Sequence, residues 1–195
     1  RLAENTAFIR QFFAGQLSIE SYQVFLVQLR YIYSALERAQ ERHQTHRVFA
    51  KIHFPSLYRT AALEEDLNFY FGNNAWIGIS PHLATSLYVQ RISFISEEWV
   101  EGLVAHHYTR YLGDLSGGQV LKRIVAKTFH LDSSAGLAFY EFPQIPDHKA
   151  FKDEYRARLD SLSLEEEISQ RIVEEANAAF TLNRGVFDSM LEPAQ

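Results

Sequence analysis

At 195 residues the chain has the length of one domain, and 47% hydrophobic residues are enough for a sizeable core. Lys and Arg number 19 against 24 Asp and Glu, a formal charge of −5 with no basic stripe to track phosphates, which argues against a nucleic-acid partner. The absence of cysteine excludes disulfides, iron–sulfur clusters and cysteine–zinc sites. No stretch approaches the roughly 20 apolar residues of a membrane helix, so the chain reads as soluble.

Long apolar 3–4 patterns with only five prolines and nine glycines predict an all-α fold. The first helix carries Ala3, Phe8, Ile9, Phe12 and Phe13 and stops at Gly15, a left-handed cap. The second is capped by Ser18, stapled by Leu17 and Tyr22, and runs to about Gln40. A third spans roughly Ser56 to Phe71, and a fourth opens at Ser80-Pro81. The fifth is a long helix from about Ser96 to Phe129. Residues His130 to Pro146 form a connector. Asp147 caps a helix to about Leu162, and Ser163-Leu164-Glu165-Glu166 forms a capping box for the last, which runs to about Leu191. The sum is a seven-helix bundle.

The fifth helix is unusual in holding Gly113, Gly117 and Gly118. Each interior glycine costs about 0.5 to 1 kcal/mol relative to alanine. That cost makes sense if missing side chains let the helix bend around a flat ligand; a flexible loop or a tight helix crossing is the competing explanation. Leu115-Ser116-Gly117-Gly118-Gln119 also matches the signature of ABC-transporter ATPases. The phosphate-cradling glycine loop and the alternating strands of that fold are missing, so the match is accidental. None of the eight histidines follows Glu or Asp by three residues, which disfavours a carboxylate-bridged di-iron site. Arg110 and Asp114 are spaced as an i,i+4 ion pair. His106 and His107 read as polar helix residues before they read as iron ligands.

Tyr108 through Lys122 also resembles the signature of heme oxygenase, and the resemblance covers nearly the whole chain. It includes Leu2-Ala3-Glu4-Asn5-Thr6, Tyr33-Ser34-Ala35-Leu36-Glu37, Phe54-Pro55, Ala62-Leu63-Glu64-Glu65-Asp66-Leu67, Ala138-Phe139-Tyr140-Glu141-Phe142 and Ile172-Val173-Glu174-Glu175-Ala176-Asn177 with Ala179-Phe180. The wording is closest to cyanobacterial and plastid members, which implies a cytoplasmic or stromal protein forming a single heme oxygenase domain over 1–195.

The resemblance implies heme clamped between the first helix and a kinked, glycine-containing distal helix, serving as both substrate and oxygen-activating cofactor. The implied products are biliverdin, carbon monoxide and ferrous iron. Electrons would come from ferredoxin or an NADPH-dependent flavoprotein reductase, consistent with the lack of a nicotinamide-binding fingerprint, and a bilin reductase could take the product. Residue by residue, Gly113 and Gly117 match backbone against the heme face. Asp114 matches the distal acid that holds water and feeds protons, with Arg110 and Tyr33 in its network. Tyr108, Lys152 and Arg156 match groups that meet the propionates, and Phe180, Asn183 and Phe187 match pocket positions on the last helix. The two phenylalanines are also ordinary core candidates. The family's proximal histidine would fall immediately before Arg1, so no iron ligand is assigned within the given sequence. Glu4 matches the residue that orients that histidine. A longer parent chain is the preferred explanation; a heme carrier on the same scaffold, or ligation by His106 or His107, is the alternative.

Overall fold

The computed structural model describes residues 6–190, and among these there is no strand. The elements are α1 (Ala7–Phe13), α2 (Ile19–Arg42), α3 (Thr60–Phe71), α4 (Leu83–Glu98), α5 (Leu103–His107), α6 (Gly113–Thr128), α7 (His148–Asp160) and α8 (Glu166–Ser189). A π-helical turn, Tyr108–Leu112, joins α5 to α6, so the three pieces form one rod. Counted that way the bundle has the expected seven helices.

Helix α2 is the centre of the core, because Tyr22, Phe25, Leu26, Leu29, Ile32, Tyr33 and Leu36 recur at helical spacing and are all buried. It packs against α3 and α4, while α8 closes over α4 and α5, and α1 touches α6 and α8. Local signals behave as the sequence suggests. Ser18 Oγ accepts the Ser21 N–H at 3.1 Å, and an Asp147 carboxylate oxygen accepts the Lys149 and Ala150 N–H groups, both at 2.9 Å. At the end of α1, Gly15 has φ +66°. Its N–H donates to the Phe12 carbonyl and that of Gln16 to the Gln11 carbonyl, at 3.0 and 2.9 Å, a Schellman stop.

Four expected boundaries are corrected. Helix α3 begins at Thr60, not Ser56, which lies in the 3₁₀ turn Pro55–Leu57. Its first N–H groups, those of Arg59 and Thr60, donate to Glu37 Oε1 of α2. Helix α4 begins at Leu83, and the His82 N–H before it donates to the buried Gln28 Oε1 at 2.8 Å, so Ser80-Pro81 is not its cap. Ser96 belongs to the end of α4; the break comes at Trp99 (φ −161°, ψ 83°), not ahead of Ser96. A Cβ on Gly102 would lie 2.7 Å from the Trp99 ring, so glycine there makes room for the indole. Finally, α8 starts at Glu166 behind Glu165, and no side chain caps it, so the Ser163 capping box does not form.

One buried group makes the fold pH-sensitive. His107 is fully buried, its Nδ1 2.7 Å from the Tyr155 hydroxyl, and burial with His53 nearby holds its pKa down at about 3. The unfolded chain takes up this proton near pH 6.5, whereas the folded one resists it until about 3. Stability is therefore intact above 6.5 and is lost as pH falls, by up to about 1.4 kcal/mol per unit. Asp66, raised to about 6 by burial, works in the opposite sense between pH 6 and 3.8. Urea unfolding of wild type and His107→Phe at several pH values isolates the histidine: the variant should lose less stability per unit. Parallel slopes would contradict a neutral buried His107.

Candidate functional site

The three glycines of α6 follow directly on an irregular turn. Gly113 has φ −60° and ψ −49°, and Gly113–Thr128 is regular α-helix; the irregularity is the π turn just before them. The extra residue of that π turn shifts the helical phase immediately ahead of the glycines, so the distal helix is irregular at the place where the glycine run begins. What the glycines supply is space. A Cβ on Gly113 or Gly117 would meet nothing within 4 Å, while one on Gly118 would lie 3.7 Å from the Tyr140 ring. Gly113 and Gly117, one turn apart, therefore leave bare backbone beside an open surface, and Gly118 faces the core.

Beside that surface lies a hydrogen-bond chain drawn from four elements. Arg110, in the π turn, donates from Nε and Nη2 to the Tyr33 hydroxyl at 3.1 and 2.8 Å. Tyr33 in turn donates to Asp114 Oδ2. Arg110 Nη1 donates to Asn183 Oδ1 on α8. Arg110 and Asp114 thus interact through the Tyr33 hydroxyl, and the simple i,i+4 ion pair that their spacing allowed is not what forms. Burial raises the Tyr33 and Asp114 pKa values, with the Arg110 charge opposing both shifts. Burial alone would lower Arg110, but its hydrogen bonds to the Tyr33 hydroxyl, together with the nearby Asp114 carboxylate, outweigh it and keep the guanidinium protonated. A carboxyl raised by burial and only partly compensated is suited to exchange protons nearer neutrality.

Sequence reasoning missed the groups that hold this chain in place. The Tyr33 ring is packed edge-on by Phe139, centroids 5.6 Å apart, and tilted against Tyr111 at 5.7 Å. Tyr111 accepts from Gln40 Nε2 at 2.9 Å. The Phe139 turn is fixed by Asp66, whose two oxygens accept the Ala138 and Phe139 N–H groups, each at 2.8 Å. Both Asp66 and Phe139 stood within the motifs that carried the family resemblance; nothing in their spacing pairs them.

The remaining candidates flank the glycines unevenly. Lys152 Nζ donates to Ser116 Oγ at 3.3 Å, next to Gly117. Arg156 pairs with Asp153 of its own helix at 3.2 Å, and Tyr108 is 39% exposed. Phe187 stacks on Phe8 with centroids 6.2 Å apart, whereas Phe180 stays 45% exposed. Glu4 lies outside the described residues, as does the position before Arg1. His106 and His107 are both buried, with Nε2 of the first 2.9 Å from Glu175 Oε1 and Nδ1 of the second on Tyr155, so each behaves as a partnered core histidine. Among the described residues no three His, Asp or Glu side chains group closely enough to hold a metal ion.

Comparison with known proteins gives the same direction. The family model described as heme oxygenase matches residues 1–189. Heme oxygenase 1 of Nostoc sp. is 46% identical over 192 residues, covering 97% of this chain and 79% of the relative. The fold of heme oxygenase from Leptospira interrogans superposes with a TM-score of 0.93 at 45% identity, covering 96% of this chain and 91% of that one. Heme oxygenase-1 of the cyanobacterium Synechocystis sp., solved in complex with heme, gives a TM-score of 0.93 at 41% identity, covering 97% and 85%. On this evidence the chain belongs to the heme oxygenase family.

Proposed function

We propose that the protein cleaves heme to biliverdin, carbon monoxide and ferrous iron, with α1 and α6 gripping the ring. The observation that carries this reading is the pairing of bare backbone at Gly113 and Gly117 with an arginine-anchored carboxyl immediately beside it. Heme, when bound, supplies the iron that activates oxygen and is itself the substrate.

The chain's own residues do the rest. Gly113 and Gly117 admit the ring face without a steric barrier, and Lys152 offers a cation to a propionate at the same edge. Arg156 stands one turn further along α7 as a second cation, and Tyr108 as a hydroxyl donor. Tyr33 donates to Asp114 Oδ2 and so orients the carboxyl, leaving Oδ1 without a donor among the described residues and available to a water. Arg110 and Asn183 hold Tyr33 and its hydroxyl against reorientation. Asp114 would then hold such a water and pass protons through it. Phe187, packed on Phe8, and the exposed Phe180 line the apolar side. Glu4 matches the family residue that would orient an iron-ligating histidine.

The electron donor is external, a reduced ferredoxin or an NADPH-dependent reductase, and the compartment the cytoplasm or plastid stroma; no described helix is long and apolar enough to cross a membrane. Titration with hemin should raise a Soret band, and reduced ferredoxin should then replace it with the red absorbance of biliverdin. A Soret band that survives reduction and oxygen would favour a heme carrier.

A further inference from the structure

The helix that carries both proposed propionate cations is held to the distal rod at very few points. Tyr155 is the one residue of α7 that is buried. Its ring lies flat on His107, centroids 5.4 Å apart and planes at 10°, and its hydroxyl sits 2.7 Å from His107 Nδ1. His107 ends α5, directly before the π turn that carries Arg110. The other polar contact from α7 to the rod, among the described residues, is the exposed Lys152–Ser116 hydrogen bond at 3.3 Å. Of the other contacts of α7, Tyr155 also meets the Tyr108 ring of the π turn at 6.5 Å, while Phe151 packs on Phe54 at 4.9 Å and Lys51 Nζ donates to the Ser161 carbonyl at 2.9 Å.

Lys152 and Arg156 bracket Tyr155 within a single turn, so whatever fixes Tyr155 fixes where the two cations stand relative to Asp114. We propose that the His107–Tyr155 pair acts as a positioning device, setting the rotation of the heme in its pocket and hence which meso carbon is cleaved. The inference rests on the heme-cleaving reading above. Its physical content is that a buried bond of known partners resists sliding of α7 along the rod, whereas a long exposed lysine does not. The His107 Nε2 has no partner, so the imidazole has one productive hydrogen bond and no alternative to compete with it.

Tyr155→Phe and His107→Phe each keep an aromatic ring and remove the hydrogen bond; His107→Asn keeps a polar atom near the Nδ1 position. Two readouts are taken on the hemin-loaded full-length protein. Proton NMR of the heme methyls reports ring orientation, and chromatography reports biliverdin isomers. Both phenylalanine variants should shift the orientation ratio and the isomer ratio by about tenfold, corresponding to about 1.4 kcal/mol of lost positioning. The double variant should shift them no further, and His107→Asn should return them toward wild type. Wild-type orientation and isomer ratios in folded Tyr155→Phe would overturn the inference, as would a double variant whose shift is the sum of the singles. If wild type binds hemin but yields no biliverdin, the NMR comparison still decides the positioning claim while the catalytic reading falls. Failure of wild type to bind hemin overturns both.

Discussion

Replacing Asp114 with alanine should cut biliverdin formation at least about 100-fold while leaving hemin binding close to wild type. The carboxyl touches no group that closes the pocket; its partner is the Tyr33 hydroxyl, which Arg110 holds in place from the other side. Removing it therefore takes away a proton carrier and little of the binding surface, and losses of 100- to 10,000-fold are typical when a positioned acid or base is deleted. Asp114→Asn separates two roles. Its amide oxygen can still accept from Tyr33, so orientation survives, but it holds no exchangeable acid proton. If proton delivery is the function, the asparagine variant should be nearly as inactive as the alanine one. Near-normal turnover in Asp114→Asn would reduce Asp114 to a positioning group and overturn the proposed proton route.

Gly117→Leu should move stability and binding in opposite directions. Gly117 lies in regular helix, and an added Cβ meets nothing within 4 Å, so the apo protein should gain about 0.5 to 1 kcal/mol from improved helix propensity. The same side chain would fill the space that the heme face needs, and hemin Kd should rise at least about 100-fold, or about 2.7 kcal/mol. Gly118→Ala is the internal control. Its Cβ would make an ordinary 3.7 Å contact with Tyr140, on the core side, and should leave hemin binding unchanged. Calorimetric melting of the apo proteins and hemin titration read the two effects separately. If Gly117→Leu binds hemin like wild type, the ring does not lie on this backbone.

The parts of the fold that were legible in the sequence are those set by neighbours in the chain. Ser18 caps α2 through an N–H three residues away, Asp147 caps α7 likewise, and Gly15 ends α1 by its own backbone conformation. The boundaries that were misread are set from elsewhere. Glu37, 23 residues before Thr60, satisfies the start of α3, and Gln28, 54 residues before His82, satisfies the start of α4. No local pattern announces such caps. The π turn is invisible for a related reason: Tyr108–Leu112 has ordinary helical composition, and the extra residue is accommodated by the tertiary partners that Arg110 finds on α2 and α8. At the site, residue type marks the glycine run, but only the family resemblance separated Gly113 and Gly117, which are open, from Gly118, which faces the core. The Tyr33–Asp114 bond spans 81 residues, and only the family resemblance suggested it. Asp66 and Phe139, which brace Tyr33, have no chemical signature of their own.

The central claim is that this site directs oxygen onto the heme ring that it binds. The most direct measurement is product stoichiometry in a single turnover of the hemin-loaded protein, with reduced ferredoxin as donor and catalase present to remove free peroxide. One carbon monoxide and one biliverdin per heme consumed is the result that the Asp114 network predicts. Loss of the Soret band without carbon monoxide, or in catalase-sensitive fashion, would mean that heme is destroyed by peroxide outside the network, and would contradict the account.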